Sequence, residues 1–344
     1  ILLGSTGMDT TAVLLATALA SCLGTLCMAF MANLPFALSA GMGLNAFMAY
    51  TVVAGYGYSW QVALLAVFIE GLIFIVLSLT NIREAIFNAI PLTLKKGVSV
   101  GIGLFIAFIG LQNSGLCVDS ATLVGIISFP ENFHTAGICA LLTLIGLFFT
   151  AVFYTRKMKG AILYGILLTW ILGMLCQVTG LYVPTPDAGF YSLFPSWGMT
   201  DFSRLGLTFG QCFNVDFSAV GIVNFIVVIF SFLFVDIFDT LGTLIGVATK
   251  AKMLDKDGKL PGIKPALMAD SIATSAGAIL GTSTTTTFVE SASGVAVGGR
   301  TGLTALVTGI LFLVSTLFAP IFTAIPSFAT APALIMVGFL MVGT

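Results

Sequence analysis

The stretch GTSTTTTFVESASGVAVGGR, residues Gly281 to Arg300, decides the fold because it interrupts a chain of strongly apolar segments. Its threonines are β-branched and favour an extended backbone over a helix. The small residues from Glu290 to Gly298 predict a short helix directly after it. A bilayer tolerates such unpaired backbone only inside protein or along a cavity. The stretch therefore predicts a broken, ligand-binding helix, with Glu290 near the positive end of the half-helix dipole.

Glu290 also has a simpler interpretation, in which it caps a re-entrant loop that binds no ligand. Both interpretations place its carboxyl within the membrane. The ligand-binding interpretation is favoured because an ionisable residue inside a membrane is a functional hypothesis by default.

The composition of the whole chain indicates an all-α polytopic membrane protein. The 344 residues are 58% hydrophobic and 8% charged, with a mean hydropathy of +1.12, whereas soluble domains contain about 25% charged residues. The net charge of −1 gives no basic surface for nucleic acid. The six cysteines show no CxxC spacing, and we interpret them as small apolar residues. Because the single histidine, His134, is expected at an interface, we predict no metal site and no cofactor. We also predict that the protein is not an enzyme.

Apolar runs of about 20 residues predict the spanning helices. These runs are Asp9 to Met31, Trp60 to Thr80, Val98 to Gln112, Thr135 to Tyr154, Ala161 to Leu181, Ala219 to Ala248, Pro265 to Leu280 and Leu303 to Ala319, with another helix starting at Pro332. The charged segment Arg83 to Lys96 is expected at a surface. Gly97 and Gly101 form a GxxxG pattern, which favours a close helix contact. The chain opens in a polar loop and stops inside an apolar run, so we expect both ends to be trimmed.

Basic residues fall in alternate connections, which the positive-inside rule places in the cytoplasm. These connections are at Arg83, Arg156 to Lys159, Lys250 to Lys264 and Arg300. The loops Leu116 to Phe133 and Tyr182 to Phe217 are then outside, and we expect a multi-pass protein of the cell (inner or plasma) membrane.

A second interrupted segment, Ala32 to Ala46, corresponds to Thr282 to Ala296. Each follows a spanning helix, and each leads from extended chain into a half helix of small residues. Two interrupted segments at corresponding places indicate a transporter site at the midplane of an inverted repeat.

Acidic residues without basic partners mark the same region. Asp236 and Asp239 share one helix face, and Asp236 lies about 21 Å from Lys250 at 1.5 Å per residue. Glu70 and Glu290 are also intramembrane, and uncompensated carboxyls must be protonated or hydrogen-bonded. This set suits proton coupling, although Asp239 or Glu70 has a purely structural alternative.

The polarity of this set predicts the ligand. A carboxylate without a basic partner suits a ligand that presents N–H donors. The Asn45 amide can complement a ligand edge that has both donors and acceptors. Phe288 and Phe234 offer flat faces for a ring. A planar heterocycle such as a nucleobase fits, and Thr287 and Ser291 beside Glu290 complete the candidate site.

Four motifs resemble the AzgA-like hypoxanthine/guanine/adenine permeases of the nucleobase–cation symporter-2 group. They are FVDIFDTLGTLIGVA, GTSTTTTFVESASGVAVGGRTGLT, ANLPFALSAGMGLNAF and ATAPAL. The resemblance covers nearly the whole chain. It implies import of purine nucleobases by proton symport, within a lipid bilayer, and it is compatible with a homodimer.

The resemblance also implies a fold of fourteen segments in two inverted repeats of seven. This chain is expected to lack the first segment and about the last two. A core domain would comprise residues 1–81 and 184–322, and a gate domain residues 82–183 and 323–344. The purine-binding carboxylates would be Asp236 and Glu290, the third-segment asparagine would be Asn45, and Asp239 would matter for function or folding. No family role falls on Glu70.

Three other functions remain open from sequence. An anion transporter of the related sulfate-permease type would share the fold but would favour Arg or bare helix N-termini at the ligand. A channel would present rings of charge along a pore. An intramembrane enzyme would need a nucleophile–base pair or a metal set. The four acids argue against the anion transporter, and their position on broken helices of one chain argues against the channel. The lone His134, expected at an interface, argues against the enzyme.

Overall fold

The computed structural model describes residues 2–80, 82, 85, 89, 91–120, 123–185, 189–195, 198–216, 220–255, 259–296 and 298–342. Arg83, Phe217 and Ala219, which bounded predicted segments, lie outside these residues. The chain forms two compact units. Unit 1 comprises Ile1–Ser99 and Met199–Ala319, and unit 2 comprises Val100–Gly198 and Pro320–Thr344.

Six helices in the described residues are long and apolar enough to cross a membrane, which confirms a multi-pass helical membrane protein. They are Thr10–Ala32, Trp60–Leu79, Phe129–Thr155, Ala161–Val178, Ile222–Ala248 and Gly302–Thr323. The predicted helix at Pro265 to Leu280 forms as Ile263–Leu280 but falls outside these six. Its Asp270, Ser271 and Thr274 are buried, so protein rather than lipid surrounds its polar side chains.

Unit 1 contains several helices and two strands among its described residues. They are α1 (Thr10–Cys27), β1 (Leu38–Ala40), α2 (Met42–Ala46), α3 (Trp60–Leu79), the start of α4 (Leu92–Asn113), α8 (Ile222–Lys250), α9 (Ile263–Leu280), β4 (Thr285–Thr287), α10 (Ser291–Ala296) and α11 (Gly302–Ser315), of which α4 continues into unit 2. A π-helical segment, Met28–Ala32, extends α1, and another, Phe47–Gly55, continues α2. Helix α9 packs against α3 and α1, and α1 packs against α11.

Close packing around α9 follows from its small residues. A Cβ atom at Gly24 of α1 would clash with Ala273 of α9, and one at Gly71 of α3 would clash with Ser275. Larger side chains at these glycines would push the helices apart. The close approach places buried polar groups of α9 directly beside α1 and α3.

Within its described residues, unit 2 contains the rest of α4 and a helical group with one short hairpin. Its elements are β2 (Val118–Ser120), β3 (Leu123–Gly125), α5 (Phe129–Asn132), α6 (Ile138–Thr155), α7 (Ala161–Val178), α12 (Ala319–Thr323), which begins at the end of unit 1, and α13 (Ser327–Val342). A π-helical turn, Phe133–Gly137, joins α5 to α6. The hairpin lies in the predicted loop Leu116 to Phe133, where apolar periodicity gave no signal.

Two structural findings correct the helix predictions. Pro332 lies inside α13 rather than at its start. A proline cannot donate to the carbonyl four residues earlier, and the Thr143 hydroxyl of α6 donates to that carbonyl, on Phe328, at 3.0 Å. Tertiary contact therefore supplies the missing hydrogen bond and lets the helix continue through the proline.

The predicted close contact at Gly97 and Gly101 is wrong, because the described residues place no atom within 4 Å of a Cβ at either glycine. A close contact between glycine and threonine faces lies instead between α6 and α7. Each helix carries a Gly-x-x-x-Thr pattern, and the Thr150 hydroxyl of α6 fills the space beside Gly165 of α7. Reciprocally, Thr169 of α7 fills the space beside Gly146 of α6. Small residues at helix interfaces permit this approach in membranes.

Candidate functional site

The two interrupted segments of unit 1 meet as a pair of antiparallel strands, β1 and β4. Leu38 pairs with Thr287 and Ala40 with Thr285. The pairing extends beyond the strands, because Phe288 N donates to the carbonyl of Ala37 at 2.9 Å. As predicted, extended chain leads into a short helix in both segments. The pairing satisfies backbone groups that lipid would leave unsatisfied.

Five helices anchor the Ser/Thr run of the second segment, one residue after another. The partners are Thr17 of α1 for Thr282, Asn45 of α2 for Ser283, Glu70 of α3 for Thr284, Thr274 of α9 for the Thr285 carbonyl, and Thr240 of α8 for Thr286. We call residues Thr282 to Thr286 the hydroxyl ladder. Because strand side chains alternate in direction, a short extended run reaches helices on all sides.

The first segment is anchored mainly by α1. Thr25 accepts from the backbone N–H of Leu38 at 2.9 Å and donates to its carbonyl at 3.2 Å. Ser21 donates to Ser39 at 2.7 Å. These contacts hold β1 where it meets β4, although neither Ser21 nor Thr25 stands out in the sequence.

The acids of the predicted site lie on elements that surround the paired strands. Glu70 is buried and accepts from the Thr284 hydroxyl at 2.8 Å. Asp236 is buried and accepts from Thr240 at 3.0 Å. Hydroxyl donors thus contact both carboxyls, where the sequence predicted protonation or hydrogen bonding.

Asp239 is on α8, and its carboxyl lies close to the start of α2. A methyl group at Gly41, which precedes α2, would lie 3.2 Å from Asp239 Oδ2 and 2.9 Å from Thr286 Cγ2. Glu290 lies between β4 and α10 and is partly exposed. Ionised carboxylates at Asp270 and Glu290 would repel one at Asp239. Three elements therefore bring carboxyl groups within electrostatic range of one another.

The remaining predicted site residues differ in what they contact. Thr287 is buried, and its hydroxyl has no hydrogen-bond partner in the part of the chain that the structure describes. Ser291 accepts from Ala37 N at 2.9 Å, so it also ties α10 to the first segment. Asn45 accepts from the Ser283 hydroxyl.

The two predicted aromatic residues lie in different places. Phe288 directly follows β4 and is partly buried. Phe234 is 65% exposed, and its ring packs edge-on against Phe238 of the same helix. The structure thus places Phe288 beside the strand pair, whereas Phe234 turns an apolar face outward from α8.

Sequence reasoning missed a fifth acid and its contacts. Asp270 on α9 is fully buried, and Thr240 lies 3.3 and 3.4 Å from its two carboxyl oxygens. Asp270 carried the same signal as Glu70, an acid within an apolar run. Thr240 lies four residues after Asp236, one helical turn away, which was a weaker signal for a contact.

All 344 residues match the profile of one protein family, described as the permease family. The chain belongs to the permease family. The permease is 48% identical over 336 residues to the guanine/hypoxanthine permease PbuG of Bacillus subtilis, covering 97% of this chain and 72% of that protein. It is 40% identical over 343 residues to the adenine permease AdeQ of Escherichia coli, covering 99% and 72%. It is 47% identical over 341 residues to the putative permease MJ0326 of Methanocaldococcus jannaschii, covering 99% and 73%.

The permease also shares its fold with a solved transporter structure. The transmembrane domain of the cyanobacterial bicarbonate transporter BicA aligns over 99% of the permease and 84% of its own chain, with a TM-score of 0.64 and 15% identity. At this identity the likeness concerns the fold alone. The family match and the relatives named as permeases make this protein a membrane transporter and not an enzyme, as the sequence predicted.

Proposed function

We propose that this permease imports purine nucleobases, namely hypoxanthine, guanine or adenine, across the cell membrane by proton symport. The observation that carries the proposal is the set of carboxyl and hydroxyl groups around the paired strands of unit 1. The guanine/hypoxanthine and adenine permeases among its relatives support the substrate class.

The electrostatics of this region favour a ligand that donates hydrogen bonds. No Lys or Arg occurs in the sequence stretches 1–82, 205–249 and 265–299, which contain all five acids. A carboxylate accepts hydrogen bonds and cannot donate them. Ring N–H and exocyclic amino groups of purines are therefore suitable partners for Glu290, whereas an anionic ligand would be repelled.

Hydroxyl and amide groups supply the complementary contacts. The buried Thr287 hydroxyl can donate to a purine nitrogen or oxygen acceptor. The Asn45 amide offers both a donor and an acceptor from the first interrupted segment. Phe288 beside the strand pair provides an aromatic surface for the ring. Together these groups would recognise a planar ligand whose edge has both hydrogen-bond donors and acceptors.

We assign the core domain of an alternating-access transporter to unit 1 and the gate domain to unit 2. Support comes from the location of the acids and both interrupted segments in unit 1. The matched architecture of β1–α2 and β4–α10 supports an inverted repeat. In this scheme, unit 1 carries the purine and proton together. Proton binding to Asp236, with Asp239, Glu70 and Glu290 as further candidates, would couple the gradient to purine binding.

An anion transporter remains the alternative, because BicA shares the fold. The five acids oppose it on electrostatic grounds. Uptake of labelled hypoxanthine and of labelled bicarbonate, in cells that lack their own carriers for both, separates the two functions. We expect hypoxanthine to accumulate, a protonophore to abolish its accumulation, and unlabelled guanine or adenine to compete. Accumulation of bicarbonate alone would refute the purine proposal, and accumulation that resists the protonophore would refute symport.

Glu290→Gln tests the site itself. Loss of a charge-assisted hydrogen bond costs about 1.5–3 kcal/mol, which corresponds to a roughly ten- to hundredfold weaker affinity for hypoxanthine. Glu131→Gln is the control, because Glu131 is an exposed acid of α5 in unit 2. If Glu290→Gln retains the affinity of the unmodified protein, Glu290 does not bind the purine.

A further inference from the structure

Thr240 lies at the junction of three buried polar groups. Its Oγ1 is 2.7 Å from Thr286 Oγ1 and 3.0 Å from Asp236 Oδ1. It is also 3.3 and 3.4 Å from the two carboxyl oxygens of Asp270. Helices α8 and α9 and strand β4 therefore meet at one hydroxyl group, and all four side chains are buried.

The number of hydrogens at this junction restricts its protonation. A threonine hydroxyl donates one hydrogen bond and accepts up to two. If Thr286 donates to Thr240, Thr240 can donate to one ionised carboxylate. The other carboxyl must then be protonated in order to donate to Thr240. The junction forms its full set of hydrogen bonds when Asp236 and Asp270 hold one proton between them.

We propose that Thr240 relays the coupling proton between Asp270 and Asp236. In one direction, the Asp270 O–H bond breaks as its proton passes to Thr240 Oγ1. The Thr240 O–H bond breaks at the same time, and that proton passes to Asp236. The hydroxyl stays neutral, Asp270 becomes ionised and Asp236 becomes protonated. The relay rests on the proposed symport function and adds Asp270 as a second site for its proton.

Other acids lie on elements around this pair and favour retention of a proton. Asp239 is on α8 with Asp236, Glu290 lies beside α10, and Glu70 is on α3, which packs against α9. Because like charges at short range disfavour full ionisation, the cluster holds protons that a relay can move. Helices α1 and α2 and strand β1 also pack against α8 or α9, and the sequence from residue 10 to 55 contains no Asp, Glu, Lys, Arg or His.

A structural role for Thr240 is the competing explanation, since its hydroxyl also ties α8 to β4. Thr274 provides the matched control. It is equally buried and donates to the Thr285 carbonyl of the same strand at 2.9 Å. Both threonines anchor β4. The Thr240 hydroxyl also contacts two carboxyl groups, whereas the described contact of the Thr274 hydroxyl is with a backbone carbonyl.

The experiment compares Thr240→Val, Thr240→Ser and Thr274→Val in the full chain, reconstituted in liposomes. Hypoxanthine counterflow measures exchange by the substrate-loaded carrier, and this exchange requires no release of the proton. Accumulation of hypoxanthine driven by a proton gradient measures coupling. We expect Thr240→Val to lower the ratio of accumulation to counterflow at least tenfold and to flatten its pH dependence. Thr240→Ser should restore both. Thr274→Val should leave the ratio unchanged even if less protein folds. An unchanged ratio in Thr240→Val, or an equal loss in Thr274→Val, would overturn the relay.

A readout without substrate separates failure of the relay from failure of the proposed function. Infrared difference spectra of the purified protein detect the C=O band of protonated carboxyls as pH changes. The pair's band, identified by its loss in Asp270→Asn, should shift in Thr240→Val and not in Thr274→Val. An unmodified protein that takes up no hypoxanthine would refute the purine proposal alone, and an unshifted band would refute the shared proton.

Discussion

Thr284 donates a 2.8 Å hydrogen bond to Glu70 across 214 residues of sequence. Thr284 belongs to the hydroxyl ladder of the second interrupted segment, and Glu70 is buried on α3. The hydrogen bond joins a helix near the beginning of the chain to a strand near its end. It supports the structural alternative that the sequence left open for Glu70.

The first prediction concerns this hydrogen bond and stability. Thr284→Val should lower the free energy of unfolding by about 1–3 kcal/mol, because it leaves one donor fewer for a buried acid. Glu70→Gln should cost less, because its amide oxygen still accepts. Thermal unfolding in detergent measures both. Thr308→Val is the control, since its hydroxyl donates to its own helix at Thr304. Equal losses in all three variants would contradict the assigned role of Thr284.

The second prediction concerns the start of α2. Gly41→Ala places a methyl group 2.9 Å from Thr286 Cγ2 and 3.2 Å from Asp239 Oδ2. Overpacking of this kind costs about 1–3 kcal/mol, and we expect hypoxanthine uptake to fall as the paired strands move. Gly101→Ala on α4 meets open space and should be neutral or stabilise by up to about 1 kcal/mol. Wild-type uptake and stability in Gly41→Ala would show that the contact is not tight.

The third prediction concerns the proline in α13. Thr143→Val removes the hydroxyl that donates to the Phe328 carbonyl, so it should destabilise the protein by about 1–2 kcal/mol. Pro332→Ala restores a backbone N–H to that carbonyl. The loss caused by Thr143→Val should therefore be smaller in the Pro332→Ala background. Unfolding of the two single variants and the double variant forms a double-mutant cycle. Additive losses would show that Thr143 does not compensate for the proline.

The fourth prediction concerns coupling at Asp236. Asp236→Asn fixes this side chain in a neutral form that can still donate. We expect the variant to retain some hypoxanthine binding or exchange and to lose proton-driven accumulation and the pH dependence of binding. Labelled hypoxanthine in liposomes with an imposed proton gradient measures both properties. If Asp236→Asn still concentrates hypoxanthine with wild-type sensitivity to a protonophore, another acid carries the proton.

Local sequence chemistry determined the class of the protein and several elements of the site. Apolar runs predicted spanning helices because helix length must match bilayer thickness. Threonines followed by small residues predicted the strand and short helix at Gly281 to Arg300, because these preferences act within a few residues. The intramembrane acids Glu70, Asp236 and Asp239 were visible for the same reason, since charge in an apolar run is costly wherever it occurs.

Only the tertiary structure decided which groups meet. The pairing of β1 with β4, the contact of Thr240 with Asp270, and the Thr143 hydroxyl at the Phe328 carbonyl join residues far apart in the chain. Hydropathy records whether a side chain avoids water, but hydrogen-bond partners depend on the directions in which helices and strands present their side chains. For this reason the sequence predicted a transporter with acidic residues inside the membrane, whereas the fold determined which hydroxyl contacts each acid.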